Sequence, residues 1–247
     1  MAIYMWREPV IITTPWIYHN SDLWLISLSS DGSTRYTIAD KNIWATTVYN
    51  DWDTLSQNNC GKYYQWGNNY WFPFTWSVST SSSKVNASNY WPWNYYSSST
   101  FITINGSWDS SDNNNLRWWI TWTNAAMQWP CDSWFHLPLI SERNTIYNVW
   151  VSLWLWSSSS WNWAKTYLKI PMVWYRNNTN ATVTSQGTAW NYWSSSPDAS
   201  YPNYARYMTF SSSTFKPQEY GFRCFWYSIR PFKNEAVQPD DTWTKLN

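Results

Sequence analysis

Few side chains in this sequence can carry chemistry: three Cys, two His and a sparse set of carboxylates. A zinc site needs three or four Cys, His or carboxylate ligands at short spacing. Cys60, Cys131 and Cys224 form no Cys-x-x-Cys, and His19 and His136 are far apart, so no metal site is assigned. His136 is the one candidate general base, but no nucleophile motif accompanies it, and no catalytic residue is assigned. Gly-x-Ser-x-Gly and glycine-rich phosphate loops are absent from the sequence as written, so no cofactor is implied. The acidic stretch 109–112, followed by Asn113, Asn114 and Asn115, offers oxygen ligands of the kind calcium takes; a solvated polar loop is the plainer reading. What remains is recognition. Residues 191–207 are rich in Tyr, Asn and Ser, the residue types of adaptable binding surfaces. Asn191, Tyr192, Tyr201, Asn203 and Tyr204 are the candidate ligand-binding residues, with a protein or glycan as partner. The alternative is an ordinary strand pair with a polar connection.

Charge narrows the partner further. Sixteen Lys and Arg oppose fifteen Asp and Glu, for a net charge of +1, which supplies no basic stripe for nucleic acid. Mean hydropathy is −0.57, and no apolar run approaches the roughly 18 residues of a membrane-spanning helix. The anomaly is in the bulky residues: 26 Trp stand against 6 Gly. Many Trp occupy turn contexts, as in Asn50-Asp51-Trp52-Asp53 and Asp132-Ser133-Trp134. Such positions ordinarily take Gly, which reaches positive φ at no steric cost. A UGA codon that the cell reads as glycine, written here as Trp, accounts for the pattern; a naturally Trp-rich carbohydrate surface is the rival. Trp66, Trp122 and Trp193 read as genuine tryptophans.

Any such site has to be positioned by short elements. Residues 33–38 alternate as a strand, residues 75–115 read as a long loop with a short strand at 100–103, and residues 123–128 read as a short helix. Residues 141–150 form a better helix, with Ser141 as N-cap and Glu142 in the first turn. A third helix is expected over 162–169, and strands over 172–175, 192–195, 205–211 and 227–232. Pro9 and Pro15 interrupt any secretory apolar stretch, so residues 1–30 are left unassigned. The domain is expected over 31–233, with a polar linker at 234–247.

Three stretches resemble a known family, and a fourth resembles a related branch. Pro130-Cys131-Asp132-Ser133-Trp134-Phe135-His136-Leu137-Pro138, followed by Ser141-Glu142, is similar to the Cys-Pro-x-Gly-Trp-His-Leu-Pro signature of the Fibrobacter succinogenes major paralogous domain family. Asn191-Tyr192-Trp193-Ser194-Ser195-Ser196 and Trp226-Tyr227-Ser228-Ile229-Arg230-Pro231-Phe232 resemble its later motifs, with Trp134 and Trp226 on family glycines. Tyr64-Gln65-Trp66-Gly67-Asn68 is similar to a motif of the formylglycine-generating branch of lectin-like folds. Arg143 departs from the pattern, standing where the family has Trp, and Pro231 stands where it has the closing Cys. The resemblance implies an α+β, C-type-lectin-like domain: a small twisted antiparallel sheet, two or three short helices and much ordered loop. It further implies an extracellular or cell-surface, non-enzymatic binding or adhesion module. Trp66, His136, Pro138, Glu142, Trp193 and Arg230 are then structural motif residues. Cys60 and Cys131 each precede a motif, which implies a Cys60–Cys131 disulfide with Cys224 free; Cys131–Cys224 is the other pairing. An enzyme of the formylglycine-generating kind and a purely structural surface-layer domain are the alternatives.

Overall fold

The computed structural model describes residues 15–74, 77–86, 97–110, 130–132, 134–153, 160–173, 175–181, 183–184, 189–211 and 213–234. Its first strands are β1 (Trp16–Asn20), β2 (Leu25–Ser29), β3 (Tyr36–Ala39), β4 (Tyr64–Gln65), β5 (Thr80–Ser81), β6 (Phe101–Ile102) and β7 (Phe135–His136). After them come β8 (Tyr175–Arg176), β9 (Val183–Thr184), β10 (Ala189–Pro197), β11 (Tyr204–Ser211), β12 (Phe215–Phe222), β13 (Trp226–Tyr227) and β14 (Phe232–Lys233). The helices are α1 (Gln57–Cys60), α2 (Ile140–Ser152) and α3 (Ser160–Leu168). Among the described residues, pairing is mostly antiparallel, with β5 and β6 parallel, and helices are few, so the class is α+β.

One sheet has the order β1-β2-β3-β14-β7, so the last strand is inserted beside the early ones. The sheet starts at Trp16, inside the segment 1–30 that the sequence leaves unassigned. In β2, Ile26, Ser27, Leu28 and Ser29 are all buried, so the strand shows no one-sided alternation to read. A second sheet, β10-β11-β12, carries the longest strands, and a third has the order β4-β13-β8-β9. The span expected as one strand over 227–232 is divided between β13 and β14, which belong to different sheets.

Helix α2 begins one residue earlier than expected. Leu139, not Ser141, is its N-cap, and the Glu142 carboxylate accepts the Leu139 N–H at 2.8 Å. A carboxylate at that place satisfies an N–H that the helix leaves unpaired and meets the positive end of its dipole. Helix α3 ends on Lys169 at φ 52°, and the Ile170 N–H returns to the Ala164 carbonyl at 3.2 Å. That bond reaches one carbonyl further back than the common left-handed C-terminal closure. The helix expected at 123–128, Trp122 and the linker from 235 lie outside the described residues. No helix among the described residues is long and apolar enough to cross a membrane.

Two buried clusters make up the core. Ile26, Leu28, Ile146, Val149, Phe210 and Trp226 belong to one; Tyr64, Trp66, Trp108, Trp193, Cys224 and Ile229 belong to the other. Three indoles brace the second cluster. Trp66 Nε1 donates to the Ser194 carbonyl at 2.7 Å, and Trp193 Nε1 donates to the Tyr64 carbonyl at 2.8 Å. Trp108 Nε1 donates to the Trp66 carbonyl at 2.6 Å. A buried indole N–H usually finds an acceptor, and for these three each acceptor is a main-chain carbonyl. Trp193→Phe keeps most of the ring volume and deletes the bond to the Tyr64 carbonyl. Denaturant unfolding should show a loss of about 1–3 kcal/mol.

Candidate functional site

The β10–β11 connection and the exposed face of β11 and β12 gather a row of aromatic rings. Tyr201 to Tyr204 is 5.7 Å between centroids, and Tyr204 lies 4.5 Å from Phe222 and 5.5 Å from Tyr220. Tyr204 and Phe222 are cross-strand partners, as are Arg206 and Tyr220. Tyr201 and Tyr220 are 56% and 50% exposed, while Tyr204 and Phe222 are half-buried beneath them. The result is a ledge of ring faces and edges open to solvent.

Asp198 holds the ledge in shape. It is buried, and its Oδ1 accepts the Ser200 and Tyr201 N–H groups at 2.9 and 3.0 Å. Its Oδ2 pairs with Arg206 Nη2 at 2.8 Å. Arg206 also donates to the Gln218 carbonyl at 3.0 Å, and its guanidinium stands 5.4 Å over the Tyr220 ring. A carboxylate that takes the N–H groups two and three residues on fixes a turn. Below the ledge, the Arg223 N–H reaches the Asn203 carbonyl and Arg223 Nε reaches the Tyr204 carbonyl, at 3.1 and 3.3 Å.

Of the candidate ligand residues, the structure brings Tyr201, Asn203 and Tyr204 together and removes two. Asn191 and Tyr192 are buried in β10. The Tyr192 hydroxyl donates to the Pro171 carbonyl and accepts from Asn42 Nδ2, both at 3.2 Å. Burial raises its pKa above the ordinary phenol value. Neither residue can touch a ligand, because β10 is covered on both faces from Trp190 to Ser195. Tyr220, Phe222, Arg206 and Asp198 were missed. Strand β12 is an edge strand that contains Pro217 and exposed Lys216 and Gln218, a composition that hides a strand from sequence reading.

The motif residues are interior fasteners. His136 is fully buried; its Nε2 lies 2.9 Å from both Glu142 carboxylate oxygens, and its Nδ1 lies 3.0 Å from Asn234 Oδ1. Both ring nitrogens are thus engaged and shielded from any substrate. The Pro138 carbonyl accepts the Ser195 N–H at 3.0 Å. Arg230 donates to the Ala39 and Lys169 carbonyls at 3.0 and 2.9 Å. No group of three or more His, Cys, Asp or Glu among the described residues is arranged to hold a metal ion. Asp109, from the acidic stretch, is buried, and residues 111–115 lie outside the described ones.

The cysteines require a correction. Cys60, Cys131 and Cys224 are all free thiols. Cys60 belongs to one core cluster, whereas Cys131 packs against the other, which contains Cys224. The Cys60–Cys131 disulfide is therefore not formed, since its members sit in different cores.

With the geometry described, known proteins can be set beside it. Comparison with family models, curated proteins and solved structures returned no match.

Two predictions follow from buried groups. Arg143 on α2 is fully buried and makes one hydrogen bond, from Nη1 to the Tyr192 carbonyl at 3.2 Å, while Nε and Nη2 have no hydrogen-bond partner. Burial, and then the nearby Arg206 charge, pull its pKa down to about 9. A buried charge so thinly compensated costs stability, so Arg143→Met should raise the unfolding free energy by about 1–3 kcal/mol in urea titration. Burial pushes the Cys60 thiol up to about 12. In native protein at pH 8, Cys60 should resist alkylation over hours and react only after denaturant is added.

Proposed function

We propose that this domain is a non-catalytic binding or adhesion module displayed outside the cell, with the Tyr201–Tyr204–Tyr220 ledge as its contact surface. The observation that carries the reading is the ledge's rigidity. Asp198 and Arg206 fix the loop and the strand face before any ligand arrives. A rigid aromatic surface loses little conformational entropy on binding, and tyrosine offers apolar area and a hydroxyl at low rotamer cost. Asn203 beside the rings adds an amide able to donate and accept. Such a surface suits a glycan ring stacked on tyrosine or a protein loop laid across it.

The motif resemblance supports the lectin-like form of this fold and the extracellular placement. The α+β class and the long β10–β11–β12 sheet accord with it. The buried, doubly bonded His136 accords with a structural role for the motif.

The test is binding of the purified chain to glycan and surface-protein arrays, then titration of any ligand found. Tyr201→Ala and Tyr220→Ala should each weaken that binding about tenfold or more and leave the melting temperature unchanged, because both rings are exposed. Full affinity in both variants would exclude the ledge as the contact surface.

A further inference from the structure

Two groups of described tryptophans stand at opposite extremes of burial, backbone and N–H pairing. Trp66, Trp108 and Trp193 are completely buried, and each indole N–H donates to a carbonyl. Trp24 and Trp44 are the reverse. Their φ values are 59° and 63°, in the left-handed region, and their side chains are 49% and 61% exposed. A bulky L-residue at positive φ is a genuine outlier, since its Cβ crowds the following carbonyl.

Both positions belong to turns that call for glycine. Trp24 is the last residue of the β1–β2 hairpin loop, between the paired Asn20 and Leu25. Asn20 Oδ1 accepts the Asp22 and Leu23 N–H groups at 3.1 Å, and the chain then turns left-handed at Trp24 to enter β2. Trp44 is the third residue of a turn closed by the Ala45 N–H on the Asn42 carbonyl at 3.0 Å. Positive φ at that third residue is the type II requirement that Gly fulfils. Gly32, Gly61, Gly67 and Gly106 also have positive φ, between 74° and 134°.

The indoles at 24 and 44 contribute little packing in return. Lys41 Nζ lies 3.7 Å over the Trp24 ring, and Lys62 Nζ lies 4.6 Å over Trp44 and 3.3 Å over Trp71. These are surface contacts made by flexible lysines, which outline an aromatic patch only if the indoles exist. Trp226 is different again. It aligns with a glycine in the family resemblance, yet its ring is stacked 4.0 Å from Phe72 and set edge-on 4.3 Å from Phe101. Geometry therefore does not place glycine there.

We propose that the residues the cell inserts at positions 24 and 44 are glycines, encoded by a UGA codon that its ribosomes read as glycine, whereas positions 66, 108 and 193 are true tryptophans encoded by UGG. The Lys41–Trp24 and Lys62–Trp44 contacts are then features of the written sequence, and the face bearing them is a plain glycine turn surface.

Two experiments test this. The gene should carry UGA at codons 24 and 44 and UGG at codons 66, 108 and 193; UGG at 24 or 44, or UGA at 66, 108 or 193, overturns the assignment. Independently, the chain made with tryptophan at all five positions should melt several degrees higher after the double substitution Trp24→Gly and Trp44→Gly. Trp193→Gly should instead abolish the cooperative transition. A double variant that melts at or below the parent temperature would count against glycine at the two turns, whatever the codons.

Discussion

Trp66 and Trp193 each donate an indole N–H to a carbonyl beside the other: Trp66 to Ser194, and Trp193 to Tyr64. This reciprocal brace ties the end of β4 to the middle of β10, and the rest of the second core is arranged about it. The Trp193 N–H of the main chain also reaches the Ser228 carbonyl at 3.1 Å, and the Trp66 main chain reaches Arg223 at 3.1 Å. Ring and backbone of the same two residues therefore register three segments against one another. The ledge depends on this brace indirectly, because Tyr204 is held by Arg223, whose guanidinium lies 4.6 Å over the Trp66 ring.

Around the brace, buried guanidinium groups perform a task that helices and sheets perform elsewhere. Short strands and long loops leave many carbonyls without ladder partners, and buried carbonyls need donors. Arg230 joins the end of β3 to the end of α3, Arg176 donates to the Ala181 carbonyl at 3.0 Å, and Arg223 donates to Tyr204. A planar fork with several donors suits this work better than an ammonium, because it can serve two separate chain segments at once. Arg143 differs from them in that both its Nε and its Nη2 have no hydrogen-bond partner.

How far these arrangements were legible in the sequence depended on whether the signal was local. Ser141 and Glu142, followed by Ile146, Val149 and Trp150, announced α2 within one stretch, although the cap itself falls at Leu139. Tyr201, Asn203 and Tyr204 announced a polar, aromatic connection. Tyr192 has the same composition and the opposite fate, because its side-chain direction is decided by pairing with β11 and by an acceptor at Pro171, 21 residues away. Strand β12 was hidden by Pro217 and by its exposed polar positions, which an edge strand tolerates. The β1–β2 hairpin was hidden because β2 is covered on both faces. The cysteines could not be assigned to cores from spacing, since which cluster a thiol joins is a tertiary fact.

The braced tryptophans also set a timetable for the chain as it is made. Their two hydrogen bonds span 128 and 129 residues of sequence, and β14 must reach back to Ile38 to complete the first sheet. Contacts that distant carry a large loop-closure entropy and slow the search for the native pairing. During synthesis, β1 to β3 can form early, but the sheet slot between β3 and β7 stays open until residue 232 emerges. For most of translation the nascent chain therefore exposes an unfilled strand position beside apolar Ile26, Leu28 and Ile38.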